Sequence, residues 1–462
     1  MLDGIRSVHF IGIGGYGMSA LARILLEMGY EVTGSDLKPS RLTRSLEARG
    51  ARIHIGHSRD HVTGAQLAVF STAIRADNPE LEACRDQGIP VWHRSDLLAR
   101  FINNRFGIAV AGTHGKTTTT SMVSLILEEG GLDPTALVGG EVINFGGNAR
   151  FGRSTYLVAE ACESDNSFLR YHPTAAILTN IEADHLEFHN GSFQDLVKSY
   201  KVFVEHLKPL GILVYCADDQ NVLAVSGGFA GEKVSYALDR SHVCYRGEGL
   251  RETRGCYSFR MVERGQDLGA VNLLVPGRHN VYNALGAAAL SRSLGVGFED
   301  IAKALSRFKG AKRRFQVLGK GRGVTVVDDY AHHPTEVKAT LEAARGYSEG
   351  RVIAVFQPHR YSRLKYFMDD FARSFHHAQV VILHDVYAAG EEPMEGVTSA
   401  ALGERVSRES RIPVHHLRTH PEIISFLEKN VKDKDTVLFM GAGDISGTAY
   451  EFHARITGGE RG

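Results

Sequence analysis

Residues 110–121 read VAGTHGKTTTTS, between the apolar run IAVAG and a segment with helical patterning. Set against the phosphate-loop pattern G-x-x-x-x-G-K-[ST], the stretch matches at Gly115, Lys116 and Thr117. It departs at the first glycine, where Val110 stands, and Gly112 follows two residues later. The physical requirements survive that departure. Glycines let backbone N–H groups turn toward a polyphosphate, and a helix N-terminus adds partial positive charge. Lys116 supplies a point charge for the β- and γ-phosphates, and Thr117 a hydroxyl for Mg²⁺. Downstream, Met122, Val123, Leu125 and Ile126 precede a Gly130–Gly131 stop, which predicts a helix. The stretch is read as a nucleoside triphosphate site made of Gly112, Thr113, His114, Gly115, Lys116, Thr117 and Thr118.

The same order of apolar strand, polar loop and helix recurs along the chain. VHFIG precedes IGGYG, YLVAE precedes ACESD, and AAILTN precedes IEADH. Farther on, VTVV precedes DDYAHHP, VIAVF precedes QPHRYSR, VVILH precedes DVYAAGE, and TVLFM precedes GAGDISG. Alternating strands and helices predict an α/β fold with mostly parallel sheets, whose ligands gather beyond the strands' carboxyl ends. At 462 residues the chain is long enough for about three domains. Boundaries are expected near FINNRFG and at the basic, glycine-bearing FKGAKRRFQVLGKGRG, dividing the chain into 1–105, 106–314 and 315–462. Closely spaced turn signals over 225–275 predict small antiparallel strands embedded in the central domain.

Composition narrows the function. Lysine plus arginine equals aspartate plus glutamate at 53 each, so no overall basic charge marks a nucleic-acid binder. Five scattered cysteines without a C-x-x-C pair argue against a disulfide framework or zinc knuckle and for a reducing, cytoplasmic setting. The N-terminus does not read as a signal peptide, and no apolar run reaches the about 18 residues of a membrane span. Small-molecule substrates are expected, without nucleic acid or membrane, acted on by a monomer or homodimer.

The triphosphate needs a metal. Glu160 ends the run YLVAE as a magnesium-binding carboxylate would, with Glu163 in the same loop as its competitor, and Asp184 and His185 follow the next strand. A second glycine loop, GIGGYG, is a formal G-x-G-x-x-G through Gly12, Gly14 and Gly17, with Gly15 inside it. Asp36 ends the next strand as a ribose-binding acid would. On that module alone a nicotinamide-dependent dehydrogenase is a rival reading, but such an enzyme has no use for a second phosphate loop with metal ligands.

GTHGKTTTT, AEACESDNSF, TNIEADH, GRHNVYNALGA, KRRF and DDYAHHPTE occur in order. Together they resemble the Mur ligase family of peptidoglycan synthesis, and the likeness runs nearly end to end. HFIGIGGYGMSALA, DDYAHHPTEV and QPHRYSR narrow it to the member type that joins L-alanine to UDP-N-acetylmuramate. A relative that attaches a recycled murein peptide to the same sugar nucleotide is the alternative. Tyr16 departs from the smaller residue expected in the first loop.

The resemblance implies a UDP-binding Rossmann-like domain, a central ATPase domain and a C-terminal Rossmann-like domain that binds the amino acid. It implies ATP and Mg²⁺, with Thr117, Glu160 and His185 as metal ligands. Lys116, His185, Arg314, Arg360 and Arg363 become the catalytic candidates. Asn280, Asn283, Arg314 and Asp329 are placed near ATP. Gly12, Gly14, Gly15, Gly17, Asp36 and Ser71 are placed at the UDP-sugar. His332, His333, Arg360 and Arg363 fall at L-alanine, with either histidine a candidate. Arg360 and Arg363 are expected to share one side of a helix's first turn. Lys201 lies where some relatives carry a carbamylated lysine, and reads here as a surface residue.

Overall fold

The computed structural model of this chain describes residues 2, 4–164 and 166–458. Each apolar run quoted above forms a strand, and three sheets result. The first has five parallel strands in the order Arg52–Ile55, Glu31–Asp36, Ser7–Ile11, Leu67–Phe70, Val91–His93. Its order reverses between Ser7–Ile11 and Leu67–Phe70, the switch point where open α/β sheets bind ligands. The loop 12–17 and Ser71 follow those two strands.

The second sheet has ten strands. Phe106–Ala111 lies inside it, parallel to Tyr156–Ala161 on one side and Ala175–Leu178 on the other. Beyond Ala175–Leu178 come Ile212–Cys216, Glu232–Ala237, Tyr245–Thr253, Cys256–Glu263 and Gln266–Pro276. The last three are joined by the two-residue loops Arg254–Gly255 and Arg264–Gly265, all four residues with positive φ. That is the type I′ hairpin geometry, which makes neighbouring strands antiparallel.

By contact density the chain divides into two compact units. The first holds 1–248, 261–269 and 282–305, and the second 249–260, 270–281 and 306–462. The antiparallel strands continue the ten-stranded sheet, and residues 249–260 and 270–281 of them count with the second unit. Within the first unit, the five-stranded and ten-stranded sheets share one hydrophobic core running from Leu2 to Phe229. The helix Tyr16–Glu27 packs on Thr135–Val142 and Gly147–Arg150, and the Asn148 amide donates to the Tyr16 carbonyl at 2.6 Å. The Tyr16 side chain itself is 44% exposed, so the larger residue is accommodated by pointing to solvent.

In the second unit, Gln316–Gly321 runs antiparallel to Val324–Asp329, and the remaining strands are parallel: Thr436–Met440, Val352–Phe356, Val380–Leu383 and Val414–His416. Alternate residues face opposite cores. Ala354, Phe356, Leu438 and Met440 pack on one side, and Ile353, Val355, Val437 and Phe439 on the other. That period of two, apolar on both faces, is what a strand covered by helices on each side requires. Among the described residues no helix is long and apolar enough to cross a membrane.

A buried carboxylate stands in the first sheet's core. Glu80, in the first turn of the helix Pro79–Gln87, is held by Ser35 Oγ at 2.6 Å, His61 Nδ1 at 2.7 Å and His57 Nδ1 at 3.0 Å. Burial alone would push its acid up. Hydrogen bonding from Ser35, His57 and His61, with the His9 ring 3.8 Å away, outweighs burial and brings it to about 2, against an ordinary 4.5. The folded value lies below the unfolded one, so this stabilisation is complete above pH 4.5 and disappears as pH falls toward 2. Glu80→Gln is expected to lower unfolding free energy at pH 7 by about 1–3 kcal/mol, because one of the two acceptor oxygens becomes an amide NH2 that faces the buried donors. It should also flatten the decline in stability over that acid window, as read by urea unfolding at a series of pH values.

Candidate active site

The loop after Phe106–Ala111 is fastened to the end of the neighbouring strand. Thr113 N–H donates to the Asn180 carbonyl at 3.0 Å, and His114 N–H to Asn180 Oδ1 at 2.8 Å. Thr179 Oγ1 donates to the His114 carbonyl at 2.8 Å, and Glu182 N–H to Thr113 Oγ1 at 2.9 Å. Gly112 and Gly115 turn with φ of +136° and +82°, and a Cβ on either would meet Thr179 or Asn283. Glycine is needed at both for conformation and for space. The helix Lys116–Glu129 then begins, with Thr117 buried in its first turn.

Lys116 bends back over its own loop. Its Nζ donates to the Thr113 carbonyl at 3.0 Å and pairs with Glu163 at 2.9 Å, the carboxylate being only 1% exposed. Burial works against the ammonium charge, but the Glu163 carboxylate outweighs it and holds the lysine pKa above its ordinary value. Lys116 is cationic at any physiological pH. Glu160, the carboxylate preferred from sequence, instead accepts from Gly139 N–H at 2.6 Å. Of the two acids, Glu163 is the one paired with the phosphate-loop lysine.

His185 adopts a left-handed φ of +54°, its ring between Asp184 at 3.6 Å and Glu187 at 3.7 Å. His189 Nε2 lies 3.3 Å from the Glu163 carbonyl and ties this segment to the loop carrying Glu163. Asn283, on the helix His279–Ser293, accepts from Thr119 Oγ1 at 3.2 Å and so stands at the phosphate loop. Asn280 instead donates to the Pro276 carbonyl at 2.7 Å, fastening its own helix's start. Thr118 is half-buried, and Lys201 is exposed on its helix. In the first sheet Asp36 Oδ2 accepts from Gly14 N–H at 2.8 Å, so that acid clamps the glycine loop itself. Gly12 turns with φ +80°, Gly15 caps the helix and Gly17 lies in its first turn.

The second unit assembles the remaining candidates. Asp329 is buried and accepts from Phe315 N–H at 2.6 Å and Ala331 N–H at 2.7 Å. Burial, opposed by Arg314 and these donors, pushes its acid up to about 6. The carboxyl thus braces the KRRF turn, in which Arg313 and Phe315 both have positive φ around Arg314. The guanidinium of Arg314 lies 5.4 Å from the centre of the Tyr330 ring. His333 is the buried N-cap of the helix Pro334–Tyr347, in a capping box with Glu336. His332 faces the His359 ring at 6.2 Å between centres, and the His333 ring faces Phe367 at 4.6 Å.

The expected pairing of Arg360 and Arg363 on one helix turn is corrected. The helix is Tyr361–Tyr366, and Arg360 stands before it with φ +69°. A bridge from His359 to Tyr387 and the bond from Arg360 N–H to the Tyr387 carbonyl, 2.8 Å, hold that backbone outside the helix. Arg363 is 7% exposed, with Nη1 3.4 Å from His359 Nδ1. Sequence reasoning did not single out Thr179, Asn180, Glu182, His189 or Tyr387. Each sits in or just beyond a strand-end loop, and that position was the available signal.

Family models for Mur ligases match this chain in three consecutive segments. The catalytic domain matches 7–106, the middle domain 110–291, and the glutamate ligase domain 313–443. A UDP-N-acetylmuramate–L-alanine ligase of Pelotomaculum thermopropionicum is 46% identical over 98% of both chains. One from Carboxydothermus hydrogenoformans is 45% identical over 96% of both. The solved UDP-N-acetylmuramate-alanine ligase of Thermotoga maritima superposes with a TM-score of 0.81 at 29% identity, covering 97% of this chain and 98% of that one. A murein peptide ligase of Psychrobacter arcticus gives 0.71 at 26% identity, covering 98% and 99%.

Gly112→Ala tests the clamp. The added Cβ runs into the Thr179 hydroxyl at a φ that disfavours any side chain, a strain of order 1–3 kcal/mol. The melting temperature should fall, as read by scanning calorimetry of the two proteins.

Proposed function

The chain belongs to the Mur ligase family, and we propose that it joins L-alanine to UDP-N-acetylmuramate, using ATP and passing through an acyl phosphate. The observation that carries this reading is the end-to-end likeness to ligases of that specificity. The buried cationic lysine in a helix-starting glycine loop supports the ATP half of it. A dehydrogenase is not favoured: the chain's first glycine loop stands beside a second that suits a triphosphate.

A carboxylate is a poor electrophile, and forming an amide from it in water at neutral pH is uphill. The muramyl carboxylate therefore attacks the γ-phosphorus of ATP, and ADP leaves. The L-alanine amine attacks the resulting acyl carbon, and inorganic phosphate leaves the tetrahedral intermediate as the amine's proton passes to solvent. These steps call for aligned reactants and fixed cations around crowded negative charge. Lys116 stabilises charge on the transferring phosphoryl group. Its present partner Glu163 is displaced by phosphate oxygens, which compete for the same ammonium.

Thr117, Glu160 and His185 are the residues we assign to magnesium, with Glu163 the competing carboxylate. A hydroxyl and a carboxylate beside the phosphate loop are hard oxygen donors of the kind that ion takes. When bound, it would neutralise charge between the β- and γ-phosphates. The loop 12–17, with Asp36 fixing its shape and Ser71 across the switch point, holds the UDP-sugar diphosphate. Asn283 and Arg314 are assigned to the nucleotide, Asp329 and Asn280 to the backbone around it. Arg360 and Arg363 bind the alanine carboxylate and the charge of the tetrahedral intermediate, with His332 beside them.

Phosphate release from ATP in the presence of UDP-N-acetylmuramate should require L-alanine across an amino-acid panel, with little response to a muramyl tripeptide. Lys116→Ala should abolish it by orders of magnitude while UDP-sugar binding persists. Glu160→Gln should raise the Mg²⁺ requirement more than Glu163→Gln; the reverse order would move the metal to Glu163. Arg363→Lys keeps the charge but loses the planar fork. Its KM for L-alanine should rise about tenfold or more, matching one charge-assisted hydrogen bond of about 1.5–3 kcal/mol, with ATP binding unchanged.

A further inference from the structure

Three side chains outside the residues assigned above converge at the carboxyl ends of the second unit's parallel strands. His384 directly follows Val380–Leu383, His420 opens the helix His420–Asn430, and Asp444 precedes the helix Ile445–Thr457. One ligand-type atom from each lies within 4.8 Å of the other two. We propose that His384, His420 and Asp444 form a zinc-binding site, with a fourth position open to water. The proposal does not depend on the ligase reading.

The atoms behind these three groups carry the argument. His384 Nδ1 is 3.1 Å from the Leu417 carbonyl. A carbonyl only accepts, so Nδ1 holds the proton and Nε2 keeps its lone pair. His420 Nδ1 is 2.6 Å from Thr448 Oγ1, and its Nε2 lies 3.6 Å from Asp444 Oδ2. Asp444 Oδ1 accepts from Gln357 Nε2 at 2.7 Å, which leaves Oδ2 toward the imidazole. Each candidate ligand thus has its other polar atom fixed by an outer partner, the arrangement that orients metal-binding histidines and carboxylates. An ion pair between His420 and Asp444 alone would need neither His384 nor the Leu417 carbonyl's hold on it. The two imidazoles stand edge to face with centres 4.7 Å apart, near enough to share one ion.

Two imidazole nitrogens and one carboxylate oxygen suit zinc, which accepts three protein ligands and a water. They do not suit magnesium, which asks for six oxygens. The Asp444 side chain is 58% exposed and that of His420 36%, so an ion enters from solvent without opening the fold. Such a site exchanges its metal with solvent and, when filled, pins one strand end to two helix starts.

The test uses the full-length protein, stripped with a chelator and titrated with zinc chloride against a chromophoric zinc indicator, without ATP or magnesium. Wild type should bind one equivalent more than His420→Asn or Asp444→Asn, or bind that equivalent at least tenfold more tightly. Zinc should raise the melting temperature of wild type and not of either variant. Asp444→Asn keeps an oxygen for Gln357, so it should fold even if the histidine change is harmful. Cobalt(II) should give visible absorption bands in wild type that both variants lack. Equal zinc stoichiometry and affinity in all three proteins would overturn the proposal, since binding would then be scattered over other histidines. A wild type that binds no zinc, or prefers magnesium at these residues, would overturn it as well.

Discussion

The ion pair between Lys116 and Glu163 places two opposite charges almost wholly out of water, 2.9 Å apart. Buried pairs of this kind seldom add stability over an apolar pair of similar shape, because both ions lose their hydration. Holding this one in place requires much of the central sheet to be arranged around it. Two glycines must turn left-handed so that the lysine can double back, and Thr179 to Glu182 must grip the loop from the next strand. Glu163 must emerge from Tyr156–Ala161, on the other side of Phe106–Ala111. A pair kept at such expense fits a group whose charge is used when an anion arrives.

The other candidate groups obey the same geometry. In each sheet they lie past the carboxyl ends of parallel strands, where loops can vary while the strands stay rigid. Uncommon backbone geometry gathers there too. Arg360, Arg313, Phe315 and His185 all hold positive φ without being glycine. Such conformations persist only where neighbours overdetermine them. The neighbours are visible: the Tyr387 carbonyl for Arg360, and the Asp329 carboxylate for Phe315.

Much of this was legible along the chain because it is local. A glycine loop between an apolar run and a helical pattern depends on residues a few positions apart. So does the hairpin signal at Arg254–Gly255 and Arg264–Gly265. Less legible were roles set by partners distant in sequence. Asp36 looked like a ribose acid, and its carboxylate meets Gly14 N–H. Asp329 sits in a motif that promises chemistry, and here it braces a turn through Phe315 N–H. Arg360 and Arg363 had helical spacing, but a bond to Tyr387 delays the helix by one residue.

The sequence by itself determined the α/β class, the strand ends where polar groups collect, the two glycine loops and the family. All of these follow from short-range periodicity and from residue types that turns and phosphates demand. Only the tertiary structure decided which carboxylate meets Lys116, and that His384, His420 and Asp444 come together. Those outcomes depend on parallel strands whose neighbours in space lie tens of residues away along the chain. A hydrogen bond reaches about 3 Å and is blind to sequence separation, so folding assigns each polar group its partner.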